Sequence, residues 1–240
     1  MSNSQEFFRN HLLASMESAD FDLLKPWIIS EKLERNQVLN EPGSEVDTVH
    51  FPAGAIISII TMMEDGRGVE SCNIGHENAY GLASALGSTR SVDLVIAQVP
   101  GASYRLPTPR LRAVAEQSPP LTDLMIRHVQ STLAQTAQSA ACNALHPVEA
   151  RLCRWLLASA DRSQNELLPL TQEFLGFMLG VQRTSVTLAA RSLQAAGLIR
   201  YRRGQIEIID HKGLEDGACE CYAAARLKHE QFFDNRPRPR

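Results

Sequence analysis

The chain has 240 residues, of which 44% are hydrophobic and 21% are charged, and its formal net charge is −3. At roughly 100–200 residues per domain, this length predicts one large or two small domains. The apolar fraction excludes general disorder, and no stretch approaches the roughly 18 uninterrupted apolar residues of a membrane span. We expect no secretory signal at the N-terminus. Five scattered cysteines, an odd number, favour reduced thiols in a cytoplasmic protein.

The charge is divided unevenly along the chain. Residues 1–145 contain 10 Lys and Arg against 16 Asp and Glu, whereas residues 146–240 contain 14 against 11. Within the second half, residues 171–204 hold five arginines and one acid, Glu173. A basic segment in an acidic protein indicates selective attraction to a polyanion, although a plain solvated face would also be basic.

The N-terminal part changes from helical to strand periodicity. Helices are predicted over residues 5–16 and 18–31. Short apolar or alternating runs follow, separated by turn sequences such as Glu41-Pro42-Gly43 and Pro100-Gly101. Short strands with frequent turns are typical of an antiparallel sandwich or roll. The predicted strands are residues 46–51, 55–63, 69–74, 92–99 and 102–106.

A long helix is predicted over residues 119–144, because prolines are tolerated in a first helical turn and His146-Pro147 indicates a hinge. Its apolar and small side chains recur at alternating three- and four-residue steps, as in a heptad repeat. Such a stripe either packs on its own domain or forms a dimer seam, and the periodicity does not decide between them. The stripe comprises Ile126, Val129, Leu133 and Ala140.

Residues 169–197 predict two helices joined by a tight turn. Thr171 is a good N-cap for the first helix, which Gly180 ends after about two turns by adopting a positive φ. The second helix starts near Gln182 and ends at Gly197. Its first turn offers hydrogen-bond donors of the kind that enter a major groove.

Two strands, residues 198–201 and 205–209, follow these helices and are joined by Arg202-Arg203-Gly204. Helix, glycine turn, second helix and basic hairpin predict a winged helix-turn-helix, with a helical hairpin bearing a solvated arginine face as the alternative. Arg183 can bond a guanine edge with two hydrogen bonds, and Thr184 and Leu188 can contact thymine methyl groups. The predicted DNA contacts are Thr171, Gln182, Arg183, Thr184, Ser185, Thr187, Arg191, Arg202 and Arg203.

These features resemble the cyclic-AMP receptor protein/FNR (Crp/Fnr) family of bacterial transcription regulators, over nearly the whole chain. The helix-turn-helix and wing carry the more specific part of the resemblance, in residues 170–173, Gly180, Arg183, residues 196–199 and residues 204–206. A looser similarity to the family's eight-stranded β-roll lies in residues 41–43, residues 49–52, Gly54, residues 74–77 and residues 98–101.

The resemblance implies an α+β chain with three parts. These are a β-roll sensor domain like the cyclic-nucleotide-binding jelly roll (1–118), a dimerisation helix and hinge (119–145) and a winged helix-turn-helix DNA-binding domain (146–235). It favours the dimer seam for the heptad stripe. The implied function is a homodimeric, sequence-specific regulator of transcription on double-stranded promoter DNA, with RNA polymerase as a further partner.

The family's cyclic-AMP pocket has an altered counterpart here. Family members that bind cyclic AMP use a Gly-Glu pair and an Arg-Ser pair, and the matching residues are Gly75, Glu77, Arg90 and Ser91. His76 interrupts the first pair, and the second pair lies about one residue out of step. We therefore predict no cofactor and do not expect cyclic AMP to bind.

Neither catalysis nor metal binding is predicted. The chain lacks P-loop, GxSxG, HExxH and paired CxxC motifs, so no catalytic residue is assigned. Cys219 and Cys221 are expected on one terminal helix, two residues apart and on different faces, which would make them poor joint metal ligands. The alternative to a DNA-binding regulator is a ligand-binding regulatory module that acts through protein contacts.

Overall fold

The computed structural model describes residues 4–233. Its N-terminal part is a roll of seven strands: β1 (Ile29–Leu33), β2 (Val38–Asn40), β3 (Thr48–Pro52), β4 (Ile56–Met62), β5 (Gly68–Ile74), β6 (Leu94–Val99) and β7 (Gly101–Pro107). They form two antiparallel sheets, one in the order β1-β7-β3 and the other in the order β2-β6-β4-β5. Alternating apolar side chains from both sheets fill the space between them.

The five predicted strands are confirmed as β3 to β7, with ends that differ by one or two residues. The short strands β1 and β2 have no counterpart among the predicted strands. The roll therefore has seven strands within residues 4–233, where the family resemblance implied eight, and the pairing of Glu45 with Arg90 is an isolated bridge.

Short helices close the roll: α1 (Ser4–Phe7), α2 (His11–Ala14), α3 (Ser18–Leu24), α4 (Leu82–Leu86) and α5 (Thr108–Ala115). The predicted helix over residues 18–31 is wrong beyond Leu24, where Pro26 sits in a single 3-10 turn and the β-branched Ile28 and Ile29 lead into β1. The predicted helix over residues 5–16 is interrupted because the Asn10 side chain accepts hydrogen bonds from two backbone amides and starts α2.

The remaining elements are α6 (Pro119–Leu145), α7 (Val148–Ser163), β8 (Leu167–Leu168), α8 (Gln172–Leu179), α9 (Arg183–Ala195), β9 (Ile199–Arg202), β10 (Gln205–Ile208), α10 (His211–Gly217) and α11 (Cys221–Phe233). The long helix and the hinge are confirmed, since α6 ends before an extended His146 and Pro147 caps α7. The three domain limits stay predictions, and residues 1–3 and 234–235 of those domains lie outside the described part. No helix in residues 4–233 has the length and apolar character needed to cross a bilayer.

A buried carboxyl group joins α7 to the roll. Glu70 on β5 accepts hydrogen bonds from the Ser58 hydroxyl at 2.6 Å, the Trp155 indole at 2.9 Å and the amides of Asn73 and Gln98 at 3.2 Å. Trp155 lies on α7, whereas the other three donors belong to the roll. Burial raises the pKa of Glu70, and the hydrogen bonds from Ser58 and Trp155 oppose that shift. The C-terminal part, through the indole of Trp155, therefore supplies one of the hydrogen-bond donors that the buried carboxyl group of Glu70 needs.

An ion pair forms a second link between the two parts. Arg162 Nε on α7 donates to Glu77 Oε1 at 2.8 Å, and both side chains are 16% exposed. Burial is the largest single effect and opposes ionisation of Glu77, but the charge of Arg162, the hydrogen bonds to the carboxylate and the charge of His76 together outweigh it and lower the pKa of Glu77. Apolar packing accompanies the pair, because Ile60 and Ile96 of the roll belong to the same core as the C-terminal helices.

We expect Glu77→Gln to lower the free energy of unfolding by about 3–5 kcal/mol at pH 7, because Arg162 would stay buried without its counter-charge. The pKa of Glu77 lies below its ordinary value of 4.5. The stabilisation is therefore present above that value and is lost as pH falls through the folded-state pKa. The free energies of unfolding of the wild type and of Glu77→Gln should therefore converge as pH falls. Urea titrations of both proteins from neutral to acid pH measure this difference.

Glu34→Gln is the matched control, since Glu34 pairs with Lys32 at an exposed site and such pairs contribute little. Equal stability of wild type and Glu77→Gln at pH 7 would contradict the ion pair's role.

Candidate nucleic-acid interface and sensor cavity

The two helices of the predicted motif meet at a tight turn. The Thr171 hydroxyl accepts a hydrogen bond from the Phe174 amide at 3.2 Å and caps α8. Gly180 ends α8 with a φ of 63°, a left-handed conformation that glycine adopts without strain. α9 then begins at Arg183. Both helices are confirmed, and α9 buries Val186, Ala189, Ala190 and Leu193.

The outer face of α9 is exposed. Gln182 and Arg183 precede Thr184 in the opening turn, and Arg191 is exposed two turns later. Leu188 lies one turn after Thr184 and is 68% exposed, as a contact with a thymine methyl group requires. This face therefore combines charged, polar and apolar groups that can reach base edges.

Two predicted DNA contacts use their hydroxyl groups inside the motif. The Thr187 hydroxyl lies 2.8 Å from Gln172 Oε1 and 2.9 Å from the Arg183 carbonyl, so it joins α9 to α8. The Thr171 hydroxyl is the cap of α8. Ser185 is half-buried. The Thr187 hydroxyl thus links α9 to α8 and the Thr171 hydroxyl caps α8, and the contacts of both residues with DNA stay predictions.

The wing is a hairpin with a two-residue turn. Arg202 pairs with Gln205, and the central residues Arg203 and Gly204 have φ values of 46° and 76°. Two positive φ values are typical of a type I′ turn, whose first central position favours Asn, Asp or Gly. A side chain such as arginine in this conformation costs about 1–2 kcal/mol. Arg203 is therefore held at the wing tip at some expense of stability.

The arginines of this segment differ in their partners. Arg200 forms an ion pair with Glu207 at 2.8 Å across the hairpin. Among residues 4–233, no acidic side chain pairs with Arg183, Arg202 or Arg203. Uncompensated positive charge is thus concentrated on the opening turn of α9 and on the wing tip. The N-terminal end of a helix adds a favourable dipole for anions at the first of these places.

A cavity of 410 Å³ lies where the roll meets α6, α7 and α11. Glu77 lines it, and the neighbouring Gly75 amide donates to Glu77 Oε1 at 3.3 Å. Arg90 and Ser91 do not line it. The backbone of Arg90 forms an isolated antiparallel β-bridge with Glu45, and the Ser91 hydroxyl donates to the Asp93 carbonyl. Of the four predicted effector residues, Glu77 lines this cavity and Gly75, Arg90 and Ser91 do not, and their grouping into one site stays a prediction.

Charged side chains surround this cavity. The basic residues are Arg154, Arg162, Arg226 and Lys228, and the acids are Glu77, Asp161 and Glu230. Several of them are already engaged: Lys228 donates to Gln138 at 2.6 Å, and Asp161 accepts from the Tyr222 hydroxyl at 2.8 Å. The α7 and α11 side chains could not be assigned to the cavity from sequence, because they lie far beyond Glu77 along the chain.

The prediction that Cys219 and Cys221 lie on one helix is wrong. Because α11 begins at Cys221, Cys219 lies in the preceding turn and the two side chains do not diverge on a helix. Their thiols meet Cys142 and His146 at the end of α6. The sequence signals were Cys-x-x-x-His at the end of a long helix and Cys-x-Cys before another, far apart along the chain.

Residues 150–216 match the family model of the Crp-like helix-turn-helix domain. This part of the chain is similar to a Crp-like helix-turn-helix domain. Its match begins in α7 and ends in α10, and it includes α8, α9 and the wing. No curated protein sequence matches the chain.

Solved structures share the fold over most of the chain. A transcriptional regulator of the Crp/Fnr family from Eubacterium rectale aligns with a TM-score of 0.68 and 16% identity, covering 88% of this chain and 98% of that one. FixK2 from Bradyrhizobium japonicum aligns with a TM-score of 0.68 and 13% identity, covering 80% and 98%. The c-di-GMP-responsive global regulator CLP from Xanthomonas campestris aligns with a TM-score of 0.64 and 16% identity, covering 80% and 99%.

These comparisons confirm the resemblance to the Crp/Fnr family and the predicted α+β fold class. The match to the Crp-like helix-turn-helix model confirms the prediction of a DNA-binding transcription regulator and does not favour a module that acts through protein contacts alone, whereas the solved structures show the fold.

Proposed function

We propose that the protein is a homodimeric, sequence-specific transcription regulator that inserts α9 into the major groove of promoter DNA in the cytoplasm. The observation that carries this proposal is Arg183, an exposed arginine with no acidic partner among residues 4–233, in the opening turn of α9 in the segment that matches the Crp-like helix-turn-helix model. A forked guanidinium at that place can reach O6 and N7 of a guanine.

The wing has a different task from the recognition helix. Arg202 and Arg203 lie at the tip of a hairpin, and such groups meet phosphates, which position a protein without reading sequence. The strained conformation of Arg203 supports this task, because asparagine or glycine would fit the turn better. We infer that Arg203 is retained for its charge. Arg191, farther along α9, extends the same basic surface.

An exposed stripe on α6 supports the homodimer. Leu133 is 69% exposed and Ile126 is 42% exposed, and Ala140 is exposed on the same helix. Val129, by contrast, is half-buried and packs against the core of its own roll. We propose that Ile126, Leu133 and Ala140 form the seam and that Val129 stabilises the attachment of α6 to the roll. RNA polymerase stays a predicted partner of the assembled dimer.

The cavity between the roll and α6 is the proposed effector site. Arg162 already pairs with Glu77 there, and the arginine that would match the family's phosphate ligand lies elsewhere, in the turn at Arg90. A cyclic phosphate would therefore meet a carboxylate without the matching cation. We propose that cyclic AMP is not the effector of this protein.

We expect Arg183→Ala to weaken binding to a selected operator by about 1–3 kcal/mol and to relax the preference at one base pair in each half-site.

Arg203→Asn keeps the turn and should leave stability equal or higher, yet weaken binding to all sequences. It should also lower the salt slope by about one unit for each phosphate that the arginine neutralises in the wild type. Titrations with operator and scrambled DNA at two salt concentrations separate these effects.

Arg9→Ala, which removes an exposed arginine outside the DNA-binding domain, is the control for a general loss of charge. An equal loss of affinity on both DNAs for Arg183→Ala would show that Arg183 contacts phosphate. If the affinity of the wild-type protein for DNA did not change with salt concentration, the proposal that the protein binds DNA would be rejected.

We expect Leu133→Glu to produce a monomer, because like charges would face each other across the two-fold axis. DNA affinity should fall about 100-fold or more once two half-sites are no longer held together. Sedimentation velocity measures the assembly. Val92→Glu, at an apolar residue of the roll that is 84% exposed, should stay dimeric, and a dimeric Leu133→Glu protein would rule out this seam.

We expect cyclic AMP up to millimolar concentration to leave the melting temperature unchanged, because Arg90 and Ser91, the counterparts of the family's phosphate-binding pair, do not line the cavity. A ligand that binds only the folded state at about 100 times its Kd would add about 2.7 kcal/mol of stability. Differential scanning fluorimetry detects such a change, and a saturable rise in the melting temperature would contradict the assignment.

A further inference from the structure

Four side chains that commonly bind metals meet at the hinge between α6 and α7. Cys142 is in the last turn of α6, and His146 follows its end; Cys219 precedes α11, and Cys221 is the first residue of α11. The Sγ atoms of Cys142 and Cys219 are 3.5 Å apart, as are Cys221 Sγ and His146 Nδ1. One ligand atom from each of the four lies within 4.8 Å of the other three.

This spacing fits one tetrahedral ion. With Zn–S bonds of about 2.3 Å, two sulfur ligands of a tetrahedral zinc lie about 3.8 Å apart, and a sulfur and a nitrogen ligand lie slightly closer. The two distances of 3.5 Å are near these values without any rearrangement of the backbone. Three cysteines and one histidine form a closed set of four ligands, which is characteristic of structural zinc sites.

Hydrogen bonds around the cluster already orient its members. His146 Nε2 lies 3.1 Å from Glu220 Oε1, so a proton shared there leaves Nδ1 with its lone pair toward the thiols. A carboxylate behind a histidine is the usual second layer of a zinc site. The Gln138 amide donates to Cys221 Sγ at 2.9 Å, as a bond to a thiolate ligand would require.

The surroundings suit a buried thiolate cluster that an ion can enter. Cys142, Cys219 and Cys221 are buried, whereas the His146 side chain is 19% exposed, and Cys221 also borders the cavity between the roll and α11. One divalent ion with three thiolates has a charge of −1, which a neighbouring arginine can balance.

We propose that Cys142, His146, Cys219 and Cys221 bind a single Zn²⁺ ion, or a divalent ion of the same coordination preference, in a tetrahedral Cys₃His site. The three thiols release their protons to solvent as the metal–sulfur bonds form. The ion would fasten the end of the α6 helix to the start of α11. This site does not depend on DNA binding, and the proposed function does not require the metal.

The bound ion would also bear on the orientation of the helix-turn-helix. Next to Cys142, the Asn143 side chain accepts a hydrogen bond from Arg151 at 2.8 Å, and Arg151 also donates to the carbonyl of Leu179 at the end of α8. A fixed end of α6 is therefore connected through one buried arginine to the turn that precedes α9.

The test uses the full-length protein, freed of metal by a chelator under reducing conditions and titrated with Co²⁺. We expect intense sulfur-to-cobalt charge-transfer and tetrahedral d–d absorption bands that saturate at one ion per chain and disappear when Zn²⁺ is added. Zn²⁺ should raise the melting temperature. It should also protect Cys142, Cys219 and Cys221 from alkylation, as peptide mass spectrometry can show on the unmutated chain.

Variants separate the ligands from other buried cysteines. Cys219→Ser should abolish the charge-transfer bands and the Zn²⁺-dependent rise in melting temperature, whereas Cys72→Ser, at a buried cysteine of the roll, should keep both. Glu220→Gln should weaken metal affinity about 10–100-fold without changing the spectrum, because it acts on the orientation of His146.

Three results would overturn the proposal. One is a wild-type protein without saturable tetrahedral cobalt bands, and another is a Cys219→Ser protein whose bands and affinity are unchanged. The third is a purified protein that, without added oxidant, contains a Cys142–Cys219 disulfide, two hydrogens lighter and free of metal. Loss of DNA binding in any of these proteins would not count for or against the site.

Discussion

The arrangement of the whole molecule depends on the buried carboxyl group of Glu70. A charged or polar group in a protein interior is tolerated only when hydrogen-bond donors replace water. The roll supplies donors from Ser58, Asn73 and Gln98, but the indole of Trp155 comes from α7. The two parts of the chain therefore specify each other's position, because moving α7 away would deprive Glu70 of a donor.

This attachment determines where the DNA-binding surface and the cavity lie. α7 carries Trp155 on the side of the roll and packs with its apolar residues against α9 and α10. The Crp-like domain is therefore held to the roll by α7 and by α8, which packs against β5, and the outer face of α9 stays exposed. The same docking encloses the cavity, since Arg162 reaches Glu77 from α7 while α6 and α11 form other walls. An effector in the cavity would act directly on the contact that positions the domain.

The hinge between α6 and α7 is the second place where distant segments meet. The three cysteines and the histidine of the proposed metal site come from the end of α6 and from the start of α11. α11 packs along α6, the helix that bears the proposed dimer seam. The proposed effector cavity, the helix that bears the proposed dimer seam and the exposed helix α9 are thus connected around one short stretch of chain. A structural change in this stretch would alter the angle between α6 and the helix-turn-helix.

The sequence by itself determined the elements that depend on short-range patterns. These are the cap at Thr171, the left-handed Gly180, the long helix, the hinge and most strands, because helix capping, turn geometry and hydrophobic periodicity operate over a few residues. The tertiary structure decided which of these residues act together. It placed Glu77 but not Arg90 at the cavity, used the hydroxyl of Thr187 to join two helices, and brought Cys142 to Cys219, 77 positions away. Such contacts are decided by how strands and helices pack, and local sequence patterns do not specify that packing.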